Sequence, residues 1–121
     1  MEKLSPQEEV VMQAAWRVKM GAVRDIMAEM PDKKPPYTTV ASIVKNLEKK
    51  LFLTGRKFGN TYVYTPLISE EKYKSRFMSQ FVSRYFENSY KNMVSFFAEK
   101  EKISAEDLKD IIEIIERGEA K

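Results

Sequence analysis

Apolar residues recur at helical spacing through most of the chain. Val11, Met12, Ala15 and Trp16 share one face of a first predicted helix. Its start is marked three ways: Ser5 supplies a capping hydroxyl, Pro6 suits the first helical position, and Glu8 completes a capping box. Met20-Gly21 breaks the pattern. Val23, Ile26, Met27 and Met30 then resume it until Pro31, and Asp32-Lys33-Lys34-Pro35-Pro36 reads as a short, stiff, polar connection. A third helix begins at Tyr37 or Thr38. Val40, Ile43, Val44, Leu47 and Leu51 form its apolar stripe, while Thr38, Ala41, Ser42, Lys45 and Lys49 fill the opposite one. Its many β-branched residues weaken an isolated helix, so it is expected to depend on tertiary packing.

The period then changes. Phe52–Phe58 and Thr61–Pro66 read as two extended segments joined by Gly59-Asn60, a pair suited to a two-residue hairpin turn. Tyr62 and Tyr64 share one face of the second segment and Val63 takes the other. Helical spacing returns after Ser69, with Glu70 and Glu71 in the positive first turn. Tyr73, Phe77, Phe81 and Tyr85 recur every four residues, and Asn88-Ser89 is a place for a kink or a break. Tyr90, Met93, Val94, Phe96 and Phe97 follow. A last helix is expected from Ser104, with Leu108, Ile111, Ile112 and Ile115 on one side and Gly118 at its end.

These elements predict a mainly α chain with a small β-hairpin. Helix, helix, helix, hairpin is the order of a winged helix-turn-helix domain, expected over residues 1–67, followed by C-terminal dimerisation helices over 68–121. In that arrangement the third helix enters the major groove of DNA and the hairpin touches the backbone beside it. The groove is about 12 Å wide, so the outward helix face must be free of bulky apolar groups. Charge points the same way. Residues 33–57 carry seven basic residues and one acidic one, Glu48. Such a block suits a polyanion, although a merely solvated face would look alike. The candidate DNA contacts are Thr38, Thr39, Ala41, Ser42, Lys45, Lys49 and Lys50 on the helix, with Arg56, Lys57 and Asn60 on the wing.

Other chemistry finds little support. The chain has no cysteine and no histidine, which removes disulfides, thiol nucleophiles, the commonest general base and the commonest metal ligand. The glycines sit at breaks and turns, with no phosphate-binding loop among them. An enzyme is not expected, nor is a cofactor. No apolar run reaches membrane-spanning length and the N-terminus lacks a signal-peptide core, so a cytoplasmic protein without membrane insertion is expected. The C-terminal aromatic and aliphatic stripe would exceed the patch size usual for a monomer. Tyr73, Phe77, Phe81, Tyr85, Tyr90, Met93, Phe97, Leu108, Ile111, Ile112 and Ile115 are therefore candidates for a homodimer interface. Two alternatives stand beside this reading. One is a regulator that holds a small molecule among Phe77, Phe81, Tyr85 and Tyr90. The other is a protein-interaction module that does not bind DNA.

The chain also resembles the penicillinase repressor family of bacterial transcription regulators. The likeness rests on Leu4-Ser5, Glu9, Met12 and Trp16, then on Thr39-Val40, Leu47 and Lys50, then on Tyr62, Tyr64 and Pro66. It continues through Ser69, Glu71 and Tyr73, through Val94, Phe97, Glu99, Lys100 and Glu101, and through Ser104 and Leu108. The resemblance implies a dimeric repressor of a palindromic double-stranded DNA operator. In the penicillinase branch it also implies a membrane sensor whose signal leads to cleavage within the dimerisation region. Met93–Glu101 is the matching stretch, and Phe96–Phe97 stands where the family has an Asn–Phe bond, a departure that weighs against cleavage there. The paired cysteines of the copper-responsive branch are absent. Leu51 stands where the family often has Gly after the third helix, and Asn46 where it has Arg.

Overall fold

A computed structural model describes residues 2–118. The order of elements is α1 (Pro6–Val18), α2 (Val23–Ala28), α3 (Tyr37–Lys49), β1 (Leu53–Phe58), β2 (Thr61–Pro66), α4 (Glu70–Phe86), α5 (Tyr90–Glu99) and α6 (Ala105–Glu116). The expected mainly α fold with one hairpin is present: it is a winged helix followed by further helices. Two compact units divide at Phe77/Met78.

In the first unit, α1 begins as its sequence dictates. The Ser5 side chain accepts from the Glu8 N–H, and the Glu8 carboxylate accepts from the Ser5 N–H at 2.9 Å. The apolar stripes of three helices meet. Val11, Met12, Ile26, Val40, Val44 and Leu47 are fully enclosed together with Phe52 and Leu53. Each such side chain contributes about 1.5–3 kcal/mol relative to an exposed one.

Helix α3 ends by a left-handed turn at Leu51, with φ 65°. Phe52 N–H donates to Leu47 O at 2.9 Å and Leu51 N–H to Glu48 O at 3.1 Å, which satisfies the last carbonyls. Glycine would take this conformation without strain, whereas leucine does not. The turn sends Phe52 straight into the core, and the hairpin follows.

The two strands pair antiparallel from Leu53↔Pro66 to Phe58↔Thr61. Gly59 takes φ 61° at the first loop position, the conformation a type II′ turn requires there. A third partner was not foreseen in the sequence: Gly21, between α1 and α2, exchanges both backbone hydrogen bonds with Tyr64, at 3.1 and 2.8 Å. This bridge fixes the wing against the helices. Gly55 is required for a different reason. A Cβ there would lie 2.8 Å from the Tyr64 ring and 3.0 Å from the Glu48 carboxylate, which accepts from the Gly55 N–H.

The first unit extends past residue 67 because α4 contributes to it. Tyr73 is buried, and its ring lies 5.7 Å from Phe52 and 5.8 Å from Trp16. Its hydroxyl accepts from the Leu4 N–H and donates to Glu9 Oε2 at 2.9 Å. Trp16 Nε1–H donates to Ile68 O at 2.8 Å, tying α1 to the turn before α4. Tyr73 is thus a core residue of the winged helix, and its placement in a dimer interface is corrected.

The second unit has a different character. Consecutive left-handed residues, Glu87 and Asn88, separate α4 from α5, and Ser104 with Asp107 forms a capping box on α6. Phe81, Phe86, Phe96 and Phe97 make a chain of ring contacts with centroids 5.5–5.9 Å apart. Yet neither α5 nor α6 has a single buried residue. Among the described residues of this unit only Val82 is fully enclosed.

Candidate nucleic-acid interface

Helix α3 is held by its inner face and leaves its outer face clear. Thr38, Ser42, Lys45 and Lys49 are exposed along it, with Ala41 and Thr39 half-buried at its edge. No large apolar side chain interrupts this stripe. A groove of about 340 Å³ separates it from the wing, lined on the helix side by Tyr37, Ala41 and Lys45 and on the wing side by Asn60, Thr61 and Tyr62. A second hollow of about 370 Å³ runs along Ser42, Lys45, Asn46 and Lys49.

Strand register sorts the wing's cations. Leu53, Gly55 and Lys57 face the same way as Tyr62 and Tyr64, because these are register partners and Leu53 and Tyr64 are buried. Lys57 therefore continues the inner face beyond the core, toward the groove. Arg56 lies on the other face with Phe58. The two neighbouring cations therefore lie on opposite faces of the wing, Lys57 on the face that Tyr62 and Tyr64 share and Arg56 on the other.

Lys50 is tied to the fold. Its ammonium lies 3.0 and 2.9 Å from the two Glu8 oxygens and 3.7 Å from Glu2. Asn46 Nδ2 donates to Glu8 Oε2 at 2.7 Å. Glu8 is 7% exposed, and burial alone would raise its carboxyl pKa. The Ser5 N–H, Lys50 and Asn46 outweigh that effect and hold it at about 2. Lys50 is raised in turn, chiefly by the Glu8 hydrogen bond. Lys50, expected on the DNA-facing side, thus has an acidic partner within the fold. A buried carboxylate must be paired, and Lys50 is the cation that α3 places against α1.

The other cations are differently placed. Lys50 is ion-paired to Glu8 and Glu2. Lys45, Lys49, Arg56 and Lys57 are exposed and make no ion pair among the described residues. Glu48, the one acid in the basic stretch, is turned under the wing to Gly55. Sequence reasoning missed two residues at this edge. Arg24 of α2 sits 5.1 Å over the Tyr37 ring, and both line the groove beside Lys45. Tyr62, exposed and stacked on Tyr64 at 6.5 Å, lines the wing side. Arg24 falls outside the 33–57 basic block, so charge clustering along the chain did not reveal it.

Among the described residues no group of three His, Cys, Asp or Glu is placed to hold a metal ion. No described helix is long and apolar enough to cross a membrane.

The model of the penicillinase repressor family matches residues 4–117. The chain belongs to the penicillinase repressor family. A penicillinase repressor of Bacillus licheniformis is 27% identical over 94% of this chain and 90% of its own length. The methicillin resistance regulatory protein MecI of Staphylococcus aureus strain N315 is 23% identical over 95% of this chain and 94% of its own length. A solved CopR repressor structure is 30% identical over 56% of this chain, covering all of that chain, with a TM-score of 0.47. Membership makes the chain a DNA-binding transcriptional repressor rather than an enzyme.

Proposed function

We propose that this family member represses transcription as a homodimer bound to a palindromic operator. Helix α3 lies in the major groove, where Thr38, Ala41 and Ser42 meet base edges and Lys45 and Lys49 meet phosphates. The wing lies beside it, with Lys57 and Asn60 on the near phosphates and Arg56 on the flank. The observation that carries the reading is the α3 stripe of short side chains flanked by unpaired cations. Each phosphate contact releases counterions, so affinity falls as salt rises. Such a protein works where the chromosome is, in the cytoplasm.

Pairing rests on the second unit. Ile111, Ile112 and Ile115 of α6 are 42%, 52% and 62% exposed, and Tyr85, Tyr90 and Phe96 are exposed as well. Phe81, Met93, Phe97 and Leu108 are half-buried. A second copy covers such a surface and brings two α3 helices to half-sites about 34–36 Å apart or a multiple of that. Phe77 is half-buried in the first unit under the Lys3 ammonium at 5.0 Å, so it is not needed for this role. Light scattering on the wild type and on Ile112→Asp tests the interface. A dimer that becomes a monomer supports it, and a variant that stays dimeric overturns it.

Derepression by a sensor-linked protease would require cutting inside α5, because Phe96–Phe97 lies within that helix. Phe96 also packs edge-on against Phe86 at 5.6 Å. The bond becomes accessible only after local unwinding.

A further inference from the structure

The α1–α4 face of the first unit carries a cavity that the operator reading does not use. Its volume is about 160 Å³. Rings of Trp16, Tyr73 and Phe77 line it, and Glu9, Gln13, Glu70 and Lys74 surround them. We propose that this slot binds a small aromatic amine in its ammonium form. The slot opens to solvent, and its volume is of the order of a single benzene-sized ring, ~150 Å³.

The polar groups set the charge. The Trp16 N–H is committed to Ile68 O and the Tyr73 O–H to Glu9, so the rings offer faces rather than donors. Among the described residues Glu70 makes no side-chain hydrogen bond or ion pair, and Glu9 uses only Oε2. Glu9 and Glu70 stand at the mouth with Lys74, and a ligand ammonium would take the place of the Lys3 ammonium over the Phe77 ring. The rings favour a cation, since their faces attract ammonium groups. The protein already displays that preference here, because the Lys3 ammonium sits 5.0 Å over Phe77.

Occupancy has a route to the recognition helix. Glu9 borders the cavity, and the adjacent Glu8 holds Asn46 and Lys50 of the α3 end. A ligand that shifts α1 therefore shifts the anchor of α3.

Trp16 is the only tryptophan of the chain and lines the cavity, so its fluorescence reports binding on the intact protein without DNA. Failure here is thus separable from failure of the operator reading. The probes are benzylammonium, benzyl alcohol and benzoate at constant ionic strength. The expected result is a saturable Trp16 change with benzylammonium, binding about tenfold weaker for benzyl alcohol, and none for benzoate. Glu70→Gln, an exposed position, should weaken benzylammonium severalfold with unchanged thermal unfolding. No saturable response to the amine, an equal response to benzoate, or wild-type affinity in both Glu70→Gln and Glu9→Gln would overturn the site. Saturable binding that leaves duplex affinity unchanged would overturn its link to α3.

Discussion

Replacing Glu8 by Gln isolates the charge at the α1–α3 junction. The amide keeps the shape and can still accept from the Ser5 N–H, so the helix cap survives. It loses the ionic partner of Lys50, which in the wild type sits 2.9 Å away. A carboxyl moved from 4.5 to about 2 corresponds to an upper bound of about 3 kcal/mol. Lys50 remains within reach of water, so screening reduces the expected loss to about 1–2 kcal/mol. The sign follows from the lowered value in the folded protein. The contribution is fully present above the unfolded carboxyl's range near 4.5 and disappears as pH falls toward 2. Urea unfolding followed by Trp16 fluorescence at pH 7 and at successively lower pH measures it. Wild type and variant should differ by about 1–2 kcal/mol at pH 7 and converge near pH 2. Equal stabilities at pH 7, or a gap that persists unchanged in acid, would show that the Glu8 charge does not stabilise this junction.

Three further outcomes follow from particular positions. Leu51→Gly should stabilise the first unit by about 1 kcal/mol, because a 68% exposed leucine at φ 65° pays strain without packing gain; a lower urea midpoint would contradict this. Gly55→Ala should destabilise by about 1–3 kcal/mol, since its methyl meets the Tyr64 ring; an unchanged midpoint would show that Tyr64 moves freely. Arg24→Ala should weaken duplex binding at low salt while leaving the fold intact, as Arg24 is exposed beside Lys45; unaltered affinity would remove it from the interface.

The local signals in the sequence were legible because their causes are local. Ser5, Pro6 and Glu8 announce α1, Gly59-Asn60 announces the turn, and the α3 stripes announce both its buried and its outward side. What stayed hidden depends on distant partners. Glu8 reads as a cap residue, and nothing near it in the chain shows that Asn46 and Lys50 close over the same carboxylate 38 and 42 residues later. Tyr73 reads as the first member of the Tyr73, Phe77, Phe81, Tyr85 stripe. A four-residue spacing is the same whether a helix packs on its own domain or on a second chain. Only the fold shows that Tyr73 meets Phe52 and Leu4. The Gly21–Tyr64 bridge is a single residue pair, too short to produce any period.

The proposed operator contact is Lys45 on the outward side of α3, with Lys50 serving the fold. Fluorescence anisotropy on a labelled palindromic duplex, titrated across a range of salt concentrations, tests it most directly. A linear fall of log K with log salt is expected for the wild type. Lys45→Ala should lower the slope by about one per protomer, and Lys50→Met should leave the slope unchanged while lowering the urea midpoint. Affinity independent of salt, or a slope that responds to Lys50 and not to Lys45, would contradict it.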